Sequence, residues 1–179
     1  MVSILKSIPC DEFNVLYGML SQIAIPMKTK ETTRGDFGRH RAMTLGITRG
    51  RFNGIIGISF YSKKYPHIYK EVNRIGKLIC GDDFHYDSIH VNHNVVCPKH
   101  LDSKNVGDSI LVSFGEYTGC NIVIDELPYD AFCLPIKFNG SNLIHYNTND
   151  LVGNKYSLVF YKSIYNAPNR QDLPESKDY

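Results

Sequence analysis

Apolar residues recur at helical spacing twice near the start of the chain and at alternate positions after it. Residues 11–24 carry Phe13, Leu16, Leu20 and Ile23 three and four positions apart. That is the stripe of an amphipathic helix, with Asp11 placed to cap it and Pro26 to stop it. Residues 65–79 predict a second helix. Pro66 suits its first turn, and Ile68, Val72, Ile75 and Leu78 form its buried stripe. Between the two helices, AMTLGIT (42–48) and NGIIGISF (53–60) read as strands.

From about residue 85 the period shortens to that of strands. SIHVNHNVV, SILVSF, CNIVID, FCLPIKF, LIHY and KYSLVFY are separated by turn residues, among them 102–107, 115–119, Asn139-Gly140 and Gly153-Asn154. Short strands at this spacing, with helices gathered at the N-terminal side, predict an α+β, mainly β fold: a sandwich or barrel with N-terminal supporting helices. Asn139-Gly140 is the signature of a two-residue type I′ hairpin. The polar run from Asn166, 166–179, reads as a frayed tail outside a single domain of residues 1–165.

Composition narrows the partners. The chain has 179 residues, long enough for one domain with a sizeable core. Net charge is only +2, so bulk charge demands no acidic partner. Residues 28–51 differ. They hold Lys28, Lys30, Arg34, Arg39, Arg41, Arg49 and Arg51 against Glu31 and Asp36, a local excess of five positive charges. Such a segment can meet phosphates, although a solvated basic loop has the same composition. The five cysteines are odd in number and contain no CxxC pair. This argues against a disulfide framework or a zinc ribbon and fits a reducing compartment, cytoplasmic or nuclear. No apolar stretch has the length of a membrane span, and the N-terminal apolar run is too short for a secretion signal.

The chemistry lies in the C-terminal half. His100 and Asp102 form a His-x-Asp triplet, His145 follows, and Lys155 and Ser157 lie in KYSLVFYK. Two imidazoles and one carboxylate on one face of a metal leave the other face open for a co-substrate and dioxygen. Parity sorts the neighbouring side chains. On the strand before the triplet, Ile89, Val91 and Val95 share one face, and His90, Asn92 and Asn94 the other. On the last strand, Lys155, Ser157, Val159 and Tyr161 share a face opposite Tyr156, Leu158 and Phe160. A lysine on an apolar strand is costly to bury without an anion, and a dicarboxylate supplies one. His90 and His93 lie too close to His100 to close a facial triad, and His40, His67 and His85 have no spacing argument.

HLDSKNVGDSILVSFGEYTG, FNGSNLIHYNT and KYSLVFYK together resemble the TET/J-binding-protein branch of the Fe(II)/2-oxoglutarate-dependent oxygenases. The resemblance covers residues 86–162. It implies a double-stranded β-helix (jelly-roll) core over about 85–162 and a dioxygenase that couples 2-oxoglutarate decarboxylation to C–H hydroxylation. It implies Fe(II), 2-oxoglutarate and dioxygen as cofactor and co-substrates, with ascorbate as a stimulatory reductant. His100, Asp102 and His145 would be metal ligands, and Lys155, Ser157, Asn92 and Asn94 would contact 2-oxoglutarate. Asn105 would reach the target base. Two positions depart from the family. Lys155 stands where the branch usually has Arg, a choice shared with the prolyl-hydroxylase branch. Gly119-Cys120 stands where the branch often has Gly-Gly, and Cys120 reads as a plain strand residue.

Three readings of the substrate follow. The first is a 5-methyl group of 5-methylcytosine or thymine in nucleic acid, with Asn105, Arg39 and Arg41 as contacts; such an enzyme must unstack the base or use single strands. The second is a protein side chain such as proline. The third is a metal-binding jelly roll without turnover.

Overall fold

The computed structural model describes residues 1–28, 40–49 and 54–166. In chain order the strands are β1 (Ser3–Ile4), β2 (Met27–Lys28), β3 (His40–Arg49), β4 (Ile56–Ile58), β5 (Ser88–His93), β6 (Asn105–Thr118), β7 (Ile122–Ile124), β8 (Leu127–Tyr129), β9 (Ile136–Phe138), β10 (His145–Asn147) and β11 (Val152–Ser163). The helices are α1 (Asn14–Ser21), α2 (Phe60–Lys64) and α3 (Pro66–Cys80). The larger sheet runs β1-β9-β6-β11-β5-β3-β2, with β4 on β3, and the smaller runs β10-β7-β8. Every strand pair within these sheets is antiparallel. This is a mainly β core with helices on one side, as the strand pattern predicts, and a jelly roll, as the family resemblance implies. Strands from the N-terminal half complete the larger sheet, because β3 pairs along β5.

The two faces of the larger sheet do different work. On one, Leu16 and Leu20 of α1 and Ile68, Val72 and Ile75 of α3 pack on Met43, Ile89, Val112, Leu158 and Phe160. On the other, Ile122 and Ile124 of β7 meet Ile136 and Phe138 of β9 in a smaller core. Alternation along β11 therefore sends Tyr156, Leu158 and Phe160 to the helices and leaves the other parity for the space between the sheets. Phe160 is fully buried and meets the Tyr86 ring edge-on at 4.9 Å. Phe160→Ala should cost about 3–5 kcal/mol, read as a lower denaturation midpoint. A loss under about 1 kcal/mol would mean that this face is not tightly packed.

Several local expectations are corrected. Asp11 is not a helix cap. It lies inside a 3-10 turn, Cys10–Phe13, that precedes α1. The stripe of α3 ends on Ile79, which is buried, and not on Leu78, which is 48% exposed. At about 100° per residue, Ile79 returns to within about 20° of Ile68, whereas Leu78 is about 80° away. NGIIGISF is a strand only over β4. Ser59 then caps α2, its Oγ accepting from Ser62 N at 3.0 Å. FCLPIKF pairs as a strand only over β9.

Asn139-Gly140 is not a type I′ hairpin, for neither residue has positive φ. It carries the chain from β9 in the larger sheet to β10 in the smaller one. Asn139 Oδ1 accepts from Ser141 N at 3.1 Å, a local side-chain turn. Cys10 and Cys133 form a disulfide, contrary to the cysteine reading. They are 123 residues apart in sequence, and the N-terminal segment meets Cys133 through a backbone bond from Ile8 N to Cys133 O at 3.0 Å. No spacing rule could reveal that pairing. Among the described residues no helix is long and apolar enough to cross a membrane.

Candidate metal centre and its pocket

His100 and His145 are neighbours through their backbones before they are neighbours through their rings. His100 N donates to His145 O and His145 N to His100 O, both at 3.1 Å. This isolated antiparallel bridge ties the β5–β6 connection to the start of β10. The rings come within 4.2 Å, centroid to centroid. Asp102 is fixed by its own amide, which donates to Gly140 O at 2.8 Å. The result is a group of two imidazoles and one carboxylate whose ligand atoms all lie within 4.8 Å of one another. His145 Nε2 is 3.5 Å from Asp102 Oδ2, and His100 Nε2 is 3.7 Å from Asp102 Oδ1.

The imidazoles are presented in the orientation that a metal requires. His100 Nδ1 lies 2.8 Å from Pro98 O, and His145 Nδ1 lies 2.9 Å from Leu143 O. A carbonyl only accepts, so each Nδ1 carries the hydrogen. In the neutral ring the Nε2 lone pair then faces the Asp102 side. Donor set and geometry fit a divalent cation of the kind held by two imidazoles and a carboxylate. Gly140 adds a steric condition. A β-carbon there would sit 3.3 Å from Asp102 Oδ2 and 3.4 Å from His145 Cε1. Gly140→Ala should push on two ligands at once and weaken metal binding by on the order of tenfold or more. Titration with Mn(II) checks this. Unchanged affinity would reduce Gly140 to a turn residue.

Lys155 opens into the same cavity as the three ligands, from the far strand. It is 6% exposed. Its Nζ donates to Cys120 O at 2.8 Å and to Cys120 Sγ at 3.1 Å, and stands 5.4 Å from the Tyr117 ring centroid. Burial pushes the Tyr117 phenol up to about 12, so that ring is neutral and offers no phenolate. Among the described residues no carboxylate lies within ion-pair distance of Lys155. A buried ammonium with neutral partners is a receptor for an incoming anion. Ser157 and Asn92 are register partners between β11 and β5, and Asn92 Nδ2 donates to Ser157 Oγ at 3.2 Å. Both line the cavity.

A scan against protein-family models finds no match for the sequence, and neither does a search of curated proteins. Solved structures do match. One, described as NgTET1 in complex with 5mC DNA, superposes with a TM-score of 0.62 at 12% identity, covering 92% of this chain and 72% of that chain. A 2OG-Fe(II) oxygenase family protein from Burkholderia pseudomallei gives 0.60 at 16% identity, covering 94% and 88%. A prolyl-4-hydroxylase from Pseudomonas putida gives 0.52 at 12% identity, covering 90% and 92%. The chain has the fold of the Fe(II)/2-oxoglutarate oxygenases.

Other expected site residues fall differently around this fold. Asn105 borders the cavity and is 9% exposed, its Nδ2 donating to Ser109 Oγ at 3.2 Å. Asn94 does not face the cavity. β5 ends at His93, Asn94 turns to φ 51°, and its Oδ1 accepts from Lys155 N at 2.7 Å. Val95 enters the lining in its stead. Arg41 shares the parity of Met43 and Leu45, on the helix side of β3, and its Nη1 donates to Ile25 O at 3.0 Å. It is set apart from the cavity. Arg39 lies outside the described residues.

The basic groups beside the cavity are two other members of the basic 28–51 segment, Lys28 and Arg49, joined by Lys104. A groove that shares His90, Asn105 and Tyr161 with it is bordered by Lys28, Arg49 and Lys104. Arg49 and Lys104 stand over the Tyr165 ring at 5.3 and 5.8 Å. Their common location is a matter of sheet order, since β3 and the β5–β6 connection are distant in sequence. Cys97 was also not anticipated; its Sγ is 3.3 Å from His100 Nδ1. Cys120 is not a plain strand residue. It has φ 58° directly after Gly119 at φ 72°.

Proposed function

We propose that this protein is an Fe(II)/2-oxoglutarate-dependent dioxygenase that hydroxylates a C–H bond, with the 5-methyl group of 5-methylcytosine or thymine in nucleic acid as its substrate class. One observation carries the reaction class: the His100, Asp102, His145 group and the buried Lys155 open on one cavity. His100, Asp102 and His145 would hold the metal. When bound, Fe(II) supplies the redox chemistry that couples 2-oxoglutarate decarboxylation to hydroxylation.

The chain's own groups do the positioning. Lys155 would pair with the far carboxylate of 2-oxoglutarate. Ser157 Oγ accepts from Asn92, so its own hydrogen is free in direction to donate to the same carboxylate. Leu111, Phe138 and Val159 give the cavity apolar walls that limit water. The nucleic-acid reading is supported by the groove beside Asn105, whose bordering Lys28, Arg49 and Lys104 suit phosphates. It is also supported by the likeness to a structure described in complex with 5mC DNA. A protein hydroxylase is the second reading. It is favoured by lysine at position 155 and by the likeness to a prolyl-4-hydroxylase.

The test is succinate release with Fe(II) and ascorbate over 5-methylcytosine DNA, thymine-only DNA, RNA and proline-rich peptides. Turnover with an oxidised base seen by mass spectrometry, weakening steeply with salt, is the expected result. Peptide hydroxylation with no modified base would reverse the ranking. Metal binding without succinate on any substrate would leave a non-catalytic module.

A further inference from the structure

We propose that Cys120 and Lys155 are a redox modification site, at which a hydroperoxide closes a reversible sulfenamide bond between Sγ and Nζ. The two atoms are 3.1 Å apart in hydrogen-bond contact. Both residues are buried, at 2% and 6% exposure. The sulfur is held in place by its own backbone. Cys120 has φ 58°, a left-handed conformation uncommon for a residue with a β-carbon. It is kept there by its amide, which donates to Asp150 Oδ1 at 2.7 Å, while Asn121 N donates to Thr148 Oγ1 at 2.9 Å. Hydrogen bonds from Thr148 and from the Cys120 amide hold the Asp150 carboxyl below the usual carboxylate range. This clamp is therefore present at neutral pH and is lost only as pH falls through that lowered value.

The surroundings suit oxidation. Peroxides attack cysteine sulfur, and the nitrogen that would close the bond already stands 3.1 Å from it. Lys155 borders the cavity, which gives a small oxidant a route to the pair.

The chemistry balances in two steps. The Cys120 sulfur, as thiolate, attacks hydrogen peroxide, an S–O bond forms, the O–O bond breaks, and the departing hydroxide takes a proton from the Lys155 ammonium and leaves as water, so that Lys155 becomes the free amine. Sulfur loses two electrons to the peroxide. The deprotonated Lys155 amine then attacks the sulfenic sulfur, S–N forms, S–O breaks, and the departing hydroxide takes the amine proton as a second water. A thiol reverses the bond by attacking sulfur and releasing the amine. The linked nitrogen carries no ammonium charge. On the reading of Lys155 as co-substrate anchor, closure therefore lowers 2-oxoglutarate affinity.

The full chain, metal-free, is treated with hydrogen peroxide, digested and mapped by mass spectrometry. Co-substrate binding is measured on Mn(II)-loaded protein before treatment, after it, and after dithiothreitol. The expected result is a Cys120–Lys155 peptide pair lacking two hydrogens and opened by dithiothreitol. Affinity should fall by on the order of tenfold or more and recover with the reductant. Cys120→Ser should show no peroxide-induced fall relative to its own untreated value. Cys120 found as a sulfenic or sulfinic acid beside unmodified Lys155 would overturn the proposal. So would a pair retaining one oxygen, which is an N–O–S bridge. If untreated protein fails to bind 2-oxoglutarate, the co-substrate reading falls while the peptide map still decides the cross-link.

Discussion

Asp102→Ala is expected to abolish metal binding and all succinate release while leaving the protein folded. Asp102 is the carboxylate of the three-residue group, and both imidazoles face it, at 3.5 and 3.7 Å. Its removal leaves two neutral nitrogens. A divalent cation loses both a ligand and the negative charge that offsets its desolvation. The fold should tolerate the change because the backbone does the structural work at this position. Asp102 N donates to Gly140 O at 2.8 Å, and Asp102 O accepts from Asn105 N at 2.9 Å. Neither bond needs the side chain. Anaerobic titration with Fe(II) or Mn(II), set beside a thermal melt, separates the two effects. A variant that bound metal within a few-fold of the parent would show that the group is not the metal centre. A variant that did not fold would show that Asp102 is a structural residue.

Lys155→Ala should leave metal binding nearly intact and weaken 2-oxoglutarate binding by about 2–5 kcal/mol, the usual cost of truncating one partner of a buried, hydrogen-bonded charge pair. That is roughly thirtyfold to several thousandfold in affinity. The size of the effect follows from burial. The ammonium sits at 6% exposure among the Cys120 carbonyl, the Cys120 sulfur and the neutral Tyr117 ring, so a bound carboxylate would be its anionic partner in a site shielded from water. Lys155→Arg should recover only part of the loss. The guanidinium is wider and forked, and the space is bounded by backbone on one side and a ring on the other. Calorimetry on the Mn(II)-loaded variants reads the co-substrate directly. Unchanged 2-oxoglutarate affinity in the alanine variant would remove Lys155 from the site.

Much of this site is legible along the chain because strands have period two. Alternation alone assigns Lys155, Ser157, Val159 and Tyr161 to one face of β11, and Tyr156, Leu158 and Phe160 to the other, and the cavity lining and the helix-side core follow that division. The same rule places Asn92 correctly and fails at Asn94. The strand ends one residue earlier, and a left-handed backbone breaks the alternation. Helical periodicity finds α1 and α3 but misplaces the last turn of the α3 stripe, where Ile79 and Leu78 are both apolar and only packing chooses between them.

By itself, then, the sequence determined the local periods, the mainly β class, the residue types able to hold a metal and an anion, and the face on which Lys155 lies. These are properties of neighbours a few positions apart, where backbone geometry is repetitive. Tertiary structure alone decided what depends on distant segments meeting. It brought His145 against His100 through a two-bond backbone bridge and passed Gly140 behind Asp102. It also joined Cys10 to Cys133, seated Cys120 on Lys155, and chose Lys28 and Arg49 rather than Arg41 from the basic segment to border the groove, adding Lys104. The physical reason is that sheet order, and not spacing along the chain, sets which strands are neighbours. Contacts across that order bury groups whose partners no local pattern records.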